Sequence, residues 1–192
     1  MKLSKKTKTL LCVALVLILL GSALAGLFNT GVGATKVTRI SFDGGHGRLS
    51  GLLYMPKDAS ADNPKPTVIV THGYLNSAEM QDANAIELSR RGFVVLALDQ
   101  YDHGHSALDH SVYSDTSFFG VWLPFWANSM NDAVQYMYDQ PYVLKDENGN
   151  GLIGVTGHSM GGFSSTLALA FDEMQAAESG VRKVSCGLSE GS

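Results

Sequence analysis

The sequence has little of what disulfide scaffolds or nucleic-acid binders depend on. It holds two cysteines, Cys12 and Cys186, and no CxxC spacing that would suggest a metal site. Cys12 lies inside an apolar N-terminal run, which argues against a structural disulfide between the two. Lysine and arginine total 14 against 18 aspartates and glutamates, a net charge of −4. That balance provides no basic field, so no nucleic-acid partner is expected. No internal repeat or low-complexity tract is present. Histidine is absent from the whole C-terminal stretch: the six stand at 46, 72, 103, 105, 110 and 158. This last absence bears on every catalytic reading below.

An export signal is present. MKLSKKTK carries four lysines, and no charged residue occurs from Thr9 until Lys36. A basic flank before an apolar core keeps the lysines cytoplasmic while the apolar run enters the bilayer. Leu10 to Phe28 is 19 residues, close to the ~20 that cross a bilayer as a helix. Residues 1–28 are therefore expected to be an uncleaved single-pass anchor, with the rest outside the cytoplasm. The alternative is secretion after cleavage near Ala25, at the A-x-A of Ala23-Leu24-Ala25. Residues 29–35 read as a flexible spacer and 36–192 as the domain.

Within the domain, KVTRISFDGGHGRLSGLLYMP reads as two strands about a glycine-rich turn at 43–47. PTVIVTHG, FVVLALD and GLIGVTGH are short β-branched or aliphatic runs of the kind buried on both faces of a parallel sheet. Between them, SAEMQDANAIELSRRG, NSMNDAVQYMYDQ and MGGFSSTLALAFDEMQ have helical spacing, with Ser77 as N-cap of the first. VRKVSCGLSEGS begins as one more strand and stops. Strands alternating with helices imply crossover connections and an α/β layered fold. One segment stands apart: Tyr113, Phe118, Phe119, Trp122, Phe125 and Trp126 crowd a short span. They read as loop aromatics covering the sheet, or as an apolar wall over a substrate pocket.

The chemistry concentrates at GVTGHSMGG, residues 154–162. Here G-x-S-x-G lies directly between a buried strand and a helix, the context that defines a nucleophile elbow. Ser159 must adopt a strained conformation to point its hydroxyl out of the sheet. The tight turn would bring side chains two residues either side of it into collision, hence Gly157 and Gly161. The Met160 N–H, at the helix start, then points at a developing oxyanion. A phosphate-binding loop is poorly matched, since neither the P-loop lysine nor G-x-G-x-x-G spacing is present.

With Thr71-His72-Gly73-Tyr74 ending the first buried strand and LDQYDHGHS ending the next, the chain resembles the α/β-hydrolase superfamily from Lys36 onward. The resemblance implies a three-layer fold: a mostly parallel sheet with helices on both faces, here incomplete at its C-terminal edge. It also implies that the Tyr74 N–H is the second oxyanion donor and that His72 and Gly73 hold their loop. Asp99 and Ser106 would brace the neighbouring turn. GHSMGG is close to the elbows of cutinase-like, dienelactone-hydrolase-like and lipase-like members. The superfamily's acid and histidine follow the serine in sequence. Here only thirty-three residues follow Ser159, and no histidine is among them. Glu190 is a candidate acid, and no base is identifiable, so a truncated chain is the economical expectation.

Other chemistries fit less of the pattern. His103 or His105, in DQYDHGHSALDH, could serve as an unorthodox base, or with Asp109 and His110 as metal ligands. DENGNG, 146–151, opens like a calcium loop, but Gly157 stands where the bidentate glutamate belongs; a turn explains it better. No metal or cofactor is expected. The function expected is a serine hydrolase of carboxylic esters acting through an acyl-enzyme on Ser159. Its substrate would be a small-molecule or lipid-like ester. The alternative is a non-catalytic α/β-hydrolase-like binding module; a peptidase or a metallohydrolase ranks below both.

Overall fold

The computed structural model describes residues 3–111, 122 and 127–191. Helix α1 spans Lys5–Asn29, and no residue in it is buried. It is long and apolar enough to cross a bilayer, a test that a signal sequence also meets. The stretch expected to be a flexible spacer is a closed turn. Gly31 N donates to Phe28 O, Val32 N to Leu27 O and Thr35 N to Thr30 O.

The domain is built on one mixed sheet. Strands β1 (Thr35–Asp43) and β2 (Gly47–Pro56) form the expected hairpin, Thr35 facing Pro56 and Asp43 facing Arg48. β3 is Thr67–Thr71, β4 Val94–Asp99, β5 the two-residue Ala107–Leu108, β6 Ile153–His158 and β7 Val184–Glu190. The order is β1-β2-β4-β3-β6-β7, with β5 pairing the start of β2. From β4 to β7 the pairings are parallel, and the hairpin half is antiparallel.

Strand β4 is buried at all six positions, and its residues alternate between two cores as the pleat requires. Val94, Leu96 and Leu98 face α3 (Ser129–Tyr138) through Met130, Ala133 and Met137, and α4 (Met160–Ser179) through Ala168. Val95 and Ala97 face the other way, toward Ala85, Ile86 and Leu88 of α2 (Asp82–Arg90). Helices therefore cover both faces, giving the three layers.

Local expectations failed at two further places, each for a tertiary reason. Ser77 does not cap a helix. Its hydroxyl bonds the Glu79 carboxylate, and Ala78–Gln81 forms a 3-10 turn before α2. The Ala78 N–H is taken by the buried Asp99 carboxylate (2.7 Å), and Gln81 Nε2 reaches Thr71 O (2.8 Å). These two bonds tighten the turn. The C-terminal run does not stop after its start: β7 continues for seven residues along β6, with a register shift at Ile153/Gly154.

Candidate active site

Ser159 follows β6 at the sheet edge where β3 and β4 also end, with φ 52° and ψ −113°. A non-glycine residue there is strained by about 1–3 kcal/mol, a cost that persists only where the surroundings enforce it. The surroundings are backbone. A Cβ on Gly157 would stand 2.5 Å from Gly161 C and 2.3 Å from Thr71 Oγ1. One on Gly161 would stand 2.7 Å from Thr71 O and 2.8 Å from His72 O. One on Gly162 would meet Ser189 Oγ at 2.6 Å and Gly157 O at 2.9 Å. The third glycine of GHSMGG thus seats α4 against the end of β7, a role the motif alone did not assign. Ser159 N donates to Glu190 O (2.8 Å), tying the elbow to β7.

The Ser159 residue is solvent-exposed, and its hydroxyl makes no hydrogen bond among the described residues. Met160 opens α4, where the first N–H groups of a helix lack intrahelical acceptors. Gly73 lies alongside: its Cβ position would be 3.5 Å from Ser159 Cβ. Tyr74 follows Gly73, so the loop expected to supply the second donor borders Ser159. The Tyr74 ring packs against Trp122 (centroids 5.0 Å apart) and His103 (5.6 Å). Of the aromatic segment, Tyr113, Phe118, Phe119, Phe125 and Trp126 lie outside the described residues.

His72 is fully buried and committed on both nitrogens. Gln100 N–H donates to its Nε2 (3.1 Å), so the proton is on Nδ1, which donates to Gly73 O (2.7 Å). Gln100 Nε2 donates back to His72 O (2.9 Å), and the Ser164 hydroxyl reaches Gln100 Oε1 at 3.2 Å. A buried glutamine therefore links α4, β4 and the Tyr74 loop. Sequence reasoning passed over Gln100, whose only signal is a polar residue directly after a wholly buried strand.

Burial also holds the His72 pKa below its ordinary 6.5. Between the folded and unfolded values the unfolded chain binds more protons, so stability rises with pH there. His72 thus contributes fully above about pH 6.5, and its contribution fades as pH falls toward the folded value. Thermal unfolding scans should show the melting temperature dropping below pH 6.5, with a smaller slope for His72→Gln. Equal slopes would place the acid sensitivity elsewhere.

Asp99 is buried among donors from three elements. Its carboxylate accepts from Ala78 N (2.7 Å), His105 N (3.1 Å) and Arg39 Nη1 (3.0 Å). Ser106 Oγ donates to Asp99 O and accepts from Ser50 N, closing the turn. Beneath the elbow, the Thr71 hydroxyl is buried without a hydrogen-bond partner among the described residues. An unpaired buried hydroxyl costs about 1–3 kcal/mol. Thr71→Val should therefore unfold at the same temperature or higher. A fall of several degrees would mean the hydroxyl has an acceptor.

Four other histidines engage partners of their own. His103 Nδ1 is 2.8 Å from Tyr101 O, and His110 Nε2 is 2.7 Å from Asp102 Oδ2. His46 Nδ1 is 2.7 Å from Asp132 Oδ2, and His105 lies 3.8 Å from Asp99. His103, His105, Asp109 and His110 do not converge on one point among the described residues. Asp146 accepts from Asn148 N and Asn150 N, forming the turn before β6. The Glu190 carboxylate accepts from Thr156 Oγ1 (3.3 Å) and lines a groove of about 430 Å³ with Leu88 of α2 and Leu188.

Comparison with known proteins places this geometry. The family model described as serine aminopeptidase, S33, matches residues 62–181. That is more than half the chain, and the chain belongs to this family of α/β-hydrolases. Among solved structures, a hyperthermophilic esterase from the archaeon Pyrobaculum calidifontis is 25% identical with TM-score 0.55, covering 87% of this chain and 48% of that one. Est1E from Butyrivibrio proteoclasticus, solved with ferulic acid bound, is 25% identical with TM-score 0.54, covering 70% and 48%. A dienelactone hydrolase from Anabaena variabilis ATCC 29413 shares the fold at 19% identity and TM-score 0.53, covering 80% and 64%. The chain thus spans about half to two thirds of the length of these structures. No curated protein matches it.

Proposed function

We propose that this protein is a serine hydrolase of carboxylic esters, tethered by α1 with its domain outside the cytoplasm. The observation that carries the reading is Ser159 at φ 52°, held there by glycines that no other residue can replace without collision. Ser159 Oγ attacks the acyl carbon as a base takes its proton. The N–H groups of Met160 and Tyr74 hold the oxyanion, each worth roughly 3 kcal/mol of transition-state stabilisation. The alcohol leaves with a proton, and water then frees the acyl group from Ser159. No histidine bonds Ser159 among the described residues, and the chain spans about half the length of the esterases it matches, so in this reading the acid and histidine correspond to the part of those structures that it does not span. The esterases among its structural relatives support the ester class. The family's description favours a peptidase as the second reading; the acyl-enzyme chemistry is shared.

Fluorophosphonate labelling of native membranes tests the proposal. The expected result is a labelled band well above 20.5 kDa, with the label mapped to the peptide carrying Ser159. Protein present but unlabelled at every size would overturn it and leave a binding module. Comparing aryl esters with aminoacyl anilides on the labelled protein separates esterase from peptidase.

A further inference from the structure

The sheet has a direction, and the membrane helix joins it at one end. β1 runs from Thr35 to Asp43 antiparallel to β2, and β2 runs antiparallel to β4, with Tyr54 facing Val95 and Ser50 facing Asp99. β1 therefore points the same way as β4, and β3 and β6 lie parallel to β4. Ser159 follows the last residue of β6, at the edge where these four strands finish. Thr35 stands at the opposite edge, where they start. By the register, Phe42 of β1 lies level with Ser159, so a rise of ~3.3 Å per residue from Thr35 separates the two edges by roughly 23 Å.

The connection between α1 and this entry edge is short and fastened. Only residues 30–34 lie between Asn29 and Thr35. The Thr35 hydroxyl donates to Ser89 Oγ (3.0 Å, buried), and Lys57 N donates to Ala34 O (3.2 Å). Gly31 lies so close to the Arg90 stem that a Cβ there would be 2.7 Å from Arg90 Cγ. Both Ser89 and Arg90 end α2, at the same edge as Thr35. Were the turn pulled out completely, the six Cα steps from Asn29 to Thr35 would reach at most ~20–22 Å. To turn Ser159 toward the bilayer, the domain would have to lift its entry edge about 23 Å from it. That needs every bond fastening the turn broken and the segment fully straightened, and it still falls just short.

From this we infer that the Ser159 edge is presented away from the membrane that α1 enters, and that the site takes esters dissolved in the aqueous phase and not lipids of that bilayer. The inference rests on the Ser159 hydrolase reading and on α1 remaining in the membrane. It narrows the substrate class, since the lipid-like ester open on sequence grounds is out of reach unless it leaves the bilayer. The short, fastened turn acts as the selectivity device.

Energy transfer in phosphatidylcholine vesicles carrying rhodamine-headgroup lipid measures the placement directly. In the full chain with Cys12→Ser and Cys186→Ser, single donor dyes are placed at Leu75→Cys or at Arg91→Cys. Leu75 is 79% exposed in the Tyr74 loop, and Arg91 is at the entry edge beside α2. Transfer should be several-fold stronger at 91. Equal transfer, or recovery of the protein free of vesicles, would overturn the inference. In the same vesicles, a soluble short-chain aryl ester should be hydrolysed at least 10-fold faster than the same ester carried on a phospholipid. Inserting twenty Gly/Ser residues after Asn29 should raise only the lipid-borne rate, because the lengthened tether can reach ~88 Å. A wild-type rate on the lipid-borne ester equal to that of the lengthened variant would also overturn it. If neither ester is hydrolysed while the transfer contrast holds, the hydrolase reading falls and the placement stands.

Discussion

Ser159→Ala should abolish ester hydrolysis and fluorophosphonate labelling together while leaving the fold untouched. Removing the nucleophile of a serine hydrolase lowers kcat by about 10⁴–10⁶-fold, the residue of catalysis coming from the oxyanion donors. The fold should be indifferent because the residue is exposed and its hydroxyl bonds nothing among the described residues. The backbone contacts that enforce the turn, Ser159 N to Glu190 O and Phe163 N to Ser159 O, survive in alanine. The measurement pairs initial rates on a soluble aryl ester, in the full-length protein, with thermal unfolding of wild type and variant. Lost activity at an unchanged melting temperature assigns the nucleophile. Retained activity would remove Ser159 from the mechanism, and a large drop in melting temperature would assign it a structural role.

Gly161→Ala should damage stability and catalysis together. Its Cβ would stand 2.4 Å from Thr71 Oγ1, 2.7 Å from Thr71 O and 2.8 Å from His72 O. Two of these three atoms are backbone and cannot rotate away, so β3 and the start of α4 must part. Overpacking of this kind costs about 1–3 kcal/mol, occasionally more. The same displacement moves the Met160 N–H off the oxyanion, and losing one such donor costs roughly 10²–10³ in kcat. Adding Thr71→Ala removes the nearest atom but not the two carbonyls, so the double variant should recover only part of the stability. Full recovery would show that the carbonyls yield easily, and an undisturbed Gly161→Ala would show that the elbow has slack. Urea unfolding and kcat on the same preparations decide the matter.

Much of the layout was legible in local pattern. Unbroken apolar runs marked β3, β4 and β6 because a strand covered on both faces tolerates few polar residues. The hairpin was written in DGGHG, and the elbow in GHSMGG between a strand and a helix. The apolar helix needed only counting. The boundaries that escaped were those set from a distance. Ser77 lost its cap role because Asp99, twenty-two residues on, claims the Ala78 N–H. The two-residue β5 exists only because β2 passes beside it. β7 completed seven residues because β6 offers it a ladder.

The sequence by itself determined the kind of site: a serine in a turn that only glycines permit, at the mouth of a helix. Steric exclusion is local, and five consecutive residues suffice to state it. The tertiary structure alone decided which groups hold that turn in place, since Thr71, Gln100, Ser164 and Glu190 meet there only after four strands align. It also decided which way the site faces. Strand direction relative to α1 is a property of the assembled sheet, and no stretch of sequence carries it.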